Sequence, residues 1–277
     1  MGIFDGCLIA SDVDDTLVSN GVITKNNIEK IEFFMREGGK FSVATGRSAN
    51  AISTVTSALK RFSPSVVANG CIIYDYQNDK VLYQEIIPCN DHKLLKAVID
   101  AKLNVGCEIH SGINSYTLLK NNETDFHQEY EGFESPLCDF SQVDKLVWNK
   151  VIFLTEQISE YEKIKDLAIK LNISSNLIAT GLYANNIKHD FLEVVPKNVS
   201  KATAVNKLCE ILNIKKGCSY AIGDYYNDVP MLKNADISAA TAGAPQDVKA
   251  VADYITVPCE EGAVADFIDY LTKINKK

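Results

Sequence analysis

Asp12 and Asp14 stand two residues apart, just past the short apolar run Cys7-Leu8-Ile9-Ala10, which stops at Ser11-Asp12. In a loop leaving a sheet, two carboxylates at that spacing can face one small volume. One is then placed to attack phosphorus, and the other to handle the proton of the leaving group. Alone, either residue reads better as a turn or helix-cap aspartate. Three further polar clusters follow apolar runs: Thr45-Gly46-Arg47, Asn69-Gly70, and Gly223-Asp224-Tyr225-Tyr226-Asn227-Asp228. In open parallel sheets, ligands bind beyond the carboxyl ends of the strands. A fold that brings these clusters to one sheet edge also brings several carboxylates together. Their mutual repulsion calls for a cation, and an all-oxygen donor set suits a hard ion such as magnesium.

The elements that must position these residues are legible in outline. Strands are expected at Cys7–Ala10, Phe41–Ala44 and Val66–Ala68. Between them lie a helix from about Thr24 to Glu37 and another capped by Ser48, with Ile52, Val55 and Leu59 inward. This β-α-β-α-β order implies a parallel sheet with right-handed crossovers. The pattern returns late in the chain. A helix from Ser200 to about Leu212 is followed by strands at 220–222, 237–239 and 254–256, with helices near 229–234 and 246–252 between them.

The middle differs. Two runs, Ile72–Tyr76 and Val81–Glu85, flank a hairpin signal. From about 88 to 194, helices (91–103, 159–171) mix with short strands (115–119, 149–154, 191–195). The expected organisation is a doubly wound α/β core of residues 1–87 and 195–277, interrupted by an inserted α+β cap domain of residues 88–194. Pro88 and Pro196 stand near the two crossings.

Composition narrows the function. The 277 residues are 46% apolar and 23% charged, with a formal net charge of -8 and a pI near 5.1. An acidic surface disfavours nucleic acid or an anionic membrane as main partner. The eight cysteines contain no C-x-x-C pair and are read as reduced thiols in a cytoplasmic protein. The first residues lack a signal-peptide pattern, and no run approaches the length of a membrane span. The four histidines do not cluster in sequence and are read as structural or exposed, although His110, Tyr183 and Asn185 are offered as substrate contacts of the inserted segment.

Asp12-Val13-Asp14-Asp15-Thr16-Leu17, Ala44-Thr45-Gly46-Arg47, the lysine of Asn198-Val199-Ser200-Lys201, and Gly223–Asp228 resemble, in order, the four motifs of the haloacid dehalogenase (HAD) superfamily. Asn69-Gly70-Cys71-Ile72-Ile73-Tyr74-Asp75, Gly243–Lys249 and the position of the insertion resemble its Cof-like phosphatases with a type IIB cap. The resemblance spans essentially the whole chain. It implies a magnesium-dependent phosphatase acting on small phosphorylated metabolites, such as sugar phosphates, through an aspartyl-phosphate on Asp12. By the same resemblance Asp14 is general acid and base, and binds the metal through its backbone carbonyl. Thr45 and Gly46 hold phosphoryl oxygens, Arg47 is a further substrate contact, and Lys201 neutralises the phosphoryl charge. Asp12, Asp14 and Asp224 hold the magnesium, while Asn227 and Asp228 support Lys201, the phosphate or the metal waters. A small-molecule phosphate ester is the implied partner, for a monomer or homodimer. The alternatives are a phosphosugar mutase of the same superfamily and a non-catalytic sugar-phosphate binding protein. A dinucleotide-binding enzyme lacks support, because no G-x-G-x-x-G follows the first strand. Three positions depart from the family pattern. Asp15 stands where Gly is usual, Thr241-Ala242-Gly243-Ala244 replaces Met-Gly-Asn-Ala, and Cys259 replaces an Asn.

Overall fold

The computed structural model describes residues 2–184 and 187–275. Asn185 therefore lies outside the described residues, and Tyr183 is described only as part of a strand backbone. The chain divides into two compact units, one of residues 1–46, 53–83 and 200–277, the other of residues 47–52 and 84–199.

In the first unit, five parallel strands run in the order Tyr254–Ile255, Ile237–Ala240, Ser219–Gly223, Leu8–Ser11, Lys40–Val43. All four residues of the central Leu8–Ser11 strand are buried, which explains an apolar run without alternation. On one face Leu8 and Ala10 pack with Val205, Leu208, Met231 and Leu232. Elsewhere in this unit the Lys25–Arg36 and Ala263–Asn275 helices pack together. The chain leaves the central strand first toward Lys40–Val43 and returns on its other side at Ser219–Gly223. Asp12 therefore sits at the switch point of the sheet, where α/β folds bind ligands.

Several elements differ from the sequence reading. The strand Ser65–Val67 is tied to the main sheet by a single parallel bridge, Ala44 to Val66. It then turns into a separate three-stranded sheet with Ile72–Asp75 and Lys80–Gln84. Ser48 does not cap a continuous helix. Its hydroxyl bonds the side chain of Asn50 at 2.6 Å, and a 3₁₀ turn at Ala49–Ala51 is separated from the Ser53–Ala58 helix by Ile52 at φ -111°. Ile52, Val55 and Leu59 are nonetheless buried. The helix expected at 91–103 is a 3₁₀ turn, Cys89–His92, followed by a helix Lys93–Asp100. The expected 246–252 helix closes after Lys249.

The second unit is built on an antiparallel sheet ordered Asn176–Ala184, Ile187–Val195, Lys150–Leu154, Gly106–Ser111, Asn114–Leu119. Cys107, Ile109, Val151, Phe153, Leu192 and Val194 project to one face. They form a core with the Lys93–Asp100 and Ile158–Lys170 helices and Trp148. The alternate residues Glu108, His110, Lys150 and Glu193 are polar yet buried. Glu108 meets His127 at 2.8 Å, and Lys150 meets Glu193 at 3.1 Å.

Candidate active site

Asp12 is the first residue past the central strand, and its amide donates to the Ile222 carbonyl at 2.9 Å. That bond ties the carboxyl ends of the two strands that present Asp12 and Asp224. Lys201 is the first residue of the Lys201–Leu212 helix. Its ammonium reaches Asp12 Oδ1 at 2.5 Å and Asp228 Oδ1 at 2.7 Å, and it is only 2% exposed. Asp228 Oδ2 in turn accepts the amides of Asp224 (3.1 Å) and Tyr225 (3.2 Å). Thr16 Oγ1 donates to Asp224 Oδ1 at 3.0 Å. The Asp12–Lys201–Asp228–Asp224 chain of contacts thus joins residues 189 positions apart in sequence.

Three residues that the motifs contain, but to which the sequence reading assigns no role of their own, fix this arrangement. A Cβ on Gly70, at φ +101°, would lie 2.2 Å from the Ser200 carbonyl oxygen, so only glycine lets this turn abut the start of the Lys201 helix. A Cβ on Gly223 would lie 2.5 Å from Asp228 Cγ. Thr16 is the third. The glycines were visible as turn residues, but the close approach behind each depends on tertiary packing. Ser200 caps the lysine helix in a reciprocal pair with Thr203.

Electrostatics here are severe. Burial, reinforced by Asp228 and outweighing the pull of Lys201, holds the Asp12 carboxyl well above the usual carboxylate range. Burial, then Asp228, lifts Asp224 to about 7. Burial opposes the charge on Lys201, but Asp12 and Asp228 overcome it and raise its pKa. Carboxylate oxygens of Asp12, Asp224 and Asp228 all lie within 4.8 Å of one another. This all-oxygen donor set, crowded enough to disfavour its own ionisation, fits a hard divalent cation. The Asp14 carboxylate is not part of that trio. Asp14 is half-buried, in the turn beyond Asp12.

The other expected residues are placed as follows. Thr45 is buried, and its carbonyl accepts the Asn69 amide at 3.0 Å. A Cβ on Gly46 would meet Asn69 Oδ1 at 3.1 Å, so these two motifs adjoin. Arg47 belongs to the second unit, where it donates to the carbonyls of Ala51 (3.1 Å) and Glu131 (3.2 Å). Asn227 is exposed, and it is its neighbour Asp228 that holds Lys201. Asp15 adopts φ +53°, the left-handed region, with its amide bonded to the Val18 carbonyl at 3.0 Å. The turn that glycine usually makes is therefore kept. Cys259 is buried, and burial, then Asp15 and Asp224, pushes its thiol up to about 12. A Cβ on Gly243 would meet Thr241 Oγ1 at 3.9 Å, an ordinary contact.

The family model for haloacid dehalogenase-like hydrolases matches residues 9–268. With that match over nearly the whole chain, the protein belongs to the haloacid dehalogenase-like hydrolase family. It is 26% identical over 293 residues to the Bacillus subtilis 5-amino-6-(5-phospho-D-ribitylamino)uracil phosphatase YwtE, covering 95% of this chain and 97% of that one. It is also 28% identical over 281 residues to the chloroplastic endoribonuclease YBEY of Arabidopsis thaliana, of which it spans 45%. Among solved structures it superposes on the HAD subclass IIB sugar phosphatase BT4131 with a TM-score of 0.80 and 23% identity, covering 96% of this chain and 99% of that one. The fold is that of subclass IIB.

Proposed function

We propose that this hydrolase is a magnesium-dependent phosphatase of small phosphorylated metabolites, with Asp12 as nucleophile. The observation that carries the proposal is the Asp12 carboxylate, fixed by Lys201 inside a cluster of three carboxylates at the switch point of the sheet. The names of YwtE and BT4131, both phosphatases, support the substrate class.

In this reading an Asp12 oxygen attacks phosphorus, the bond to the ester oxygen breaks, and Asp14 gives that oxygen a proton. Asp14 then takes a proton from water, which attacks the phosphorus of the aspartyl-phosphate. Inorganic phosphate leaves and Asp12 is restored. Lys201 holds Asp12 in place and offsets charge on the phosphoryl oxygens, which Thr45 and the Gly46 amide bind. Asp12, Asp224 and the Asp14 carbonyl are the groups that would hold magnesium, with Asp228 beside them. When bound, the ion supplies positive charge for the phosphoryl group in flight.

Purified protein with magnesium is expected to hydrolyse p-nitrophenyl phosphate or a member of a metabolite-phosphate panel, and Asp12→Asn to be inert. Wild-type inactivity across the panel would overturn the proposal. A hydroxylamine-labile phosphate trapped on any residue other than Asp12 would overturn the covalent step. EDTA should abolish turnover, and excess magnesium should restore it. No helix among the described residues is long and apolar enough to cross a membrane, and a cytoplasmic location is part of this proposal.

A further inference from the structure

Two cysteines stand side by side at the start of the strands that carry the site. Leu8 pairs with Ser219 in the parallel ladder, and the Leu8 amide donates to the Cys218 carbonyl at 2.9 Å. Cys7 and Cys218, each the residue just before its strand, are therefore neighbours at the start of the same ladder. Their side chains share a face, because Tyr220, two residues past Cys218, brings its hydroxyl to 3.6 Å from Cys7 Sγ. Adjacent strands lie about 4.8 Å apart, inside the roughly 4.4–6.8 Å between Cα atoms that a disulfide spans.

The surroundings differ in a way that assigns an order to oxidation. Cys7 is buried and Cys218 partly exposed. Lys215, whose ammonium is bonded to Asp5 at 2.8 Å, interacts electrostatically with both thiols. Peroxides attack the thiolate, and the partly exposed Cys218 is the thiol they can reach.

We propose that Cys7 and Cys218 form a peroxide-driven, reversible disulfide that cross-links the central strand to its neighbour. The Cys218 thiolate attacks one oxygen of a hydroperoxide, the O–O bond breaks, and Cys218 becomes a sulfenic acid while the peroxide is reduced to water or an alcohol. The Cys7 thiol then displaces hydroxide from that sulfur. The S–S bond forms, and the Cys7 proton leaves with the hydroxide as water. Neither thiol belongs to the phosphatase machinery, so the cross-link does not depend on that assignment.

The test is peptide mapping without reduction, on full-length protein titrated with hydrogen peroxide. The expected result is loss of two thiols per chain, a mass decrease of about 2 Da, and one Cys7–Cys218 linked peptide that dithiothreitol removes. Cys218→Ala should abolish the linked peptide. Cys7→Ser should leave Cys218 as a dimedone-reactive sulfenic acid. Peroxide treatment that yields only sulfinic or sulfonic acid at Cys218, or disulfides elsewhere with Cys7 and Cys218 unlinked, would overturn the proposal. Because the wild-type map needs no variant, poor folding of either mutant does not blunt it.

Discussion

Asp228 shows how much one carboxylate can organise. One oxygen holds Lys201 and the other holds two successive amides of its own turn. Asp228→Asn keeps the shape but removes the charge opposite a fully buried ammonium. The expected outcome is a fall in kcat of about 100-fold or more, from the loss of some 3 kcal/mol of charge-assisted contact, with the fold retained by circular dichroism. Wild-type kcat in that variant would remove Asp228 from the positioning chain. At Asp15 the left-handed backbone gives a smaller and opposite expectation. Asp15→Gly relieves a conformation L-residues adopt reluctantly, so its thermal midpoint should match or slightly exceed that of wild type. A clear drop in the midpoint would mean that the aspartate side chain itself holds the turn.

Among elements, the helix that begins with Lys201 is the most constrained, because Ser200 caps it and Gly70 abuts it. Gly70→Ala puts a methyl carbon into the Ser200 carbonyl and must push the lysine away from Asp12. Activity should fall more steeply than the thermal midpoint, whereas Ser200→Ala should cost about 1 kcal/mol of stability through the lost cap. Equal losses in both assays for Gly70→Ala would mean that the glycine serves folding alone. The elements of the first unit were largely readable from sequence, because strand ends there coincide with polar motifs and helix starts with Thr24 and Ser200. The Ala263–Asn275 helix went unread despite six buried residues, since no motif drew attention to it. Within the second unit, the strands Gly106–Ser111 and Asn176–Ala184 and the helix Asn122–Glu131 were missed for a physical reason. Cys-Glu-Ile-His has the alternation of a strand, but both of its faces are buried, the polar one included, and the helix buries Glu123 and His127 instead of an apolar stripe. Hydrophobic periodicity cannot report a core made of paired charges. In the same way the crowding of Asp12, Asp224 and Asp228 was expected from topology, but the exposure of Asn227 and the primacy of Asp228 required coordinates.

For the molecule as a whole, stability should carry the imprint of that charged core. Burial works against a proton on His127, but Glu131 and Glu108 outweigh it and raise its pKa from 6.5 to about 10. Burial likewise pushes Glu131 up, yet His127 draws it down to about 2. A raised histidine pKa stabilises the folded state fully below about 6.5, and that contribution fades as pH climbs toward 10. The lowered Glu131 contributes fully above its ordinary 4.5 and loses its contribution as pH falls toward 2. His127→Gln should therefore cost about 3–5 kcal/mol at pH 6 and progressively less toward pH 10, measured by urea unfolding across that range. A pH-independent deficit would show that packing, not charge, is what the histidine supplies. The five-stranded parallel sheet has a different consequence, in the time domain of synthesis. Its central strand is complete by residue 11, but one of the strands flanking it begins at Ser219. At about 5–20 residues per second, Asp12 is added to the chain some 10–40 seconds before Lys201 exists to meet it. Asp12 is made well before its partner, so a chain truncated anywhere before residue 201 carries Asp12 without the ammonium that fixes it.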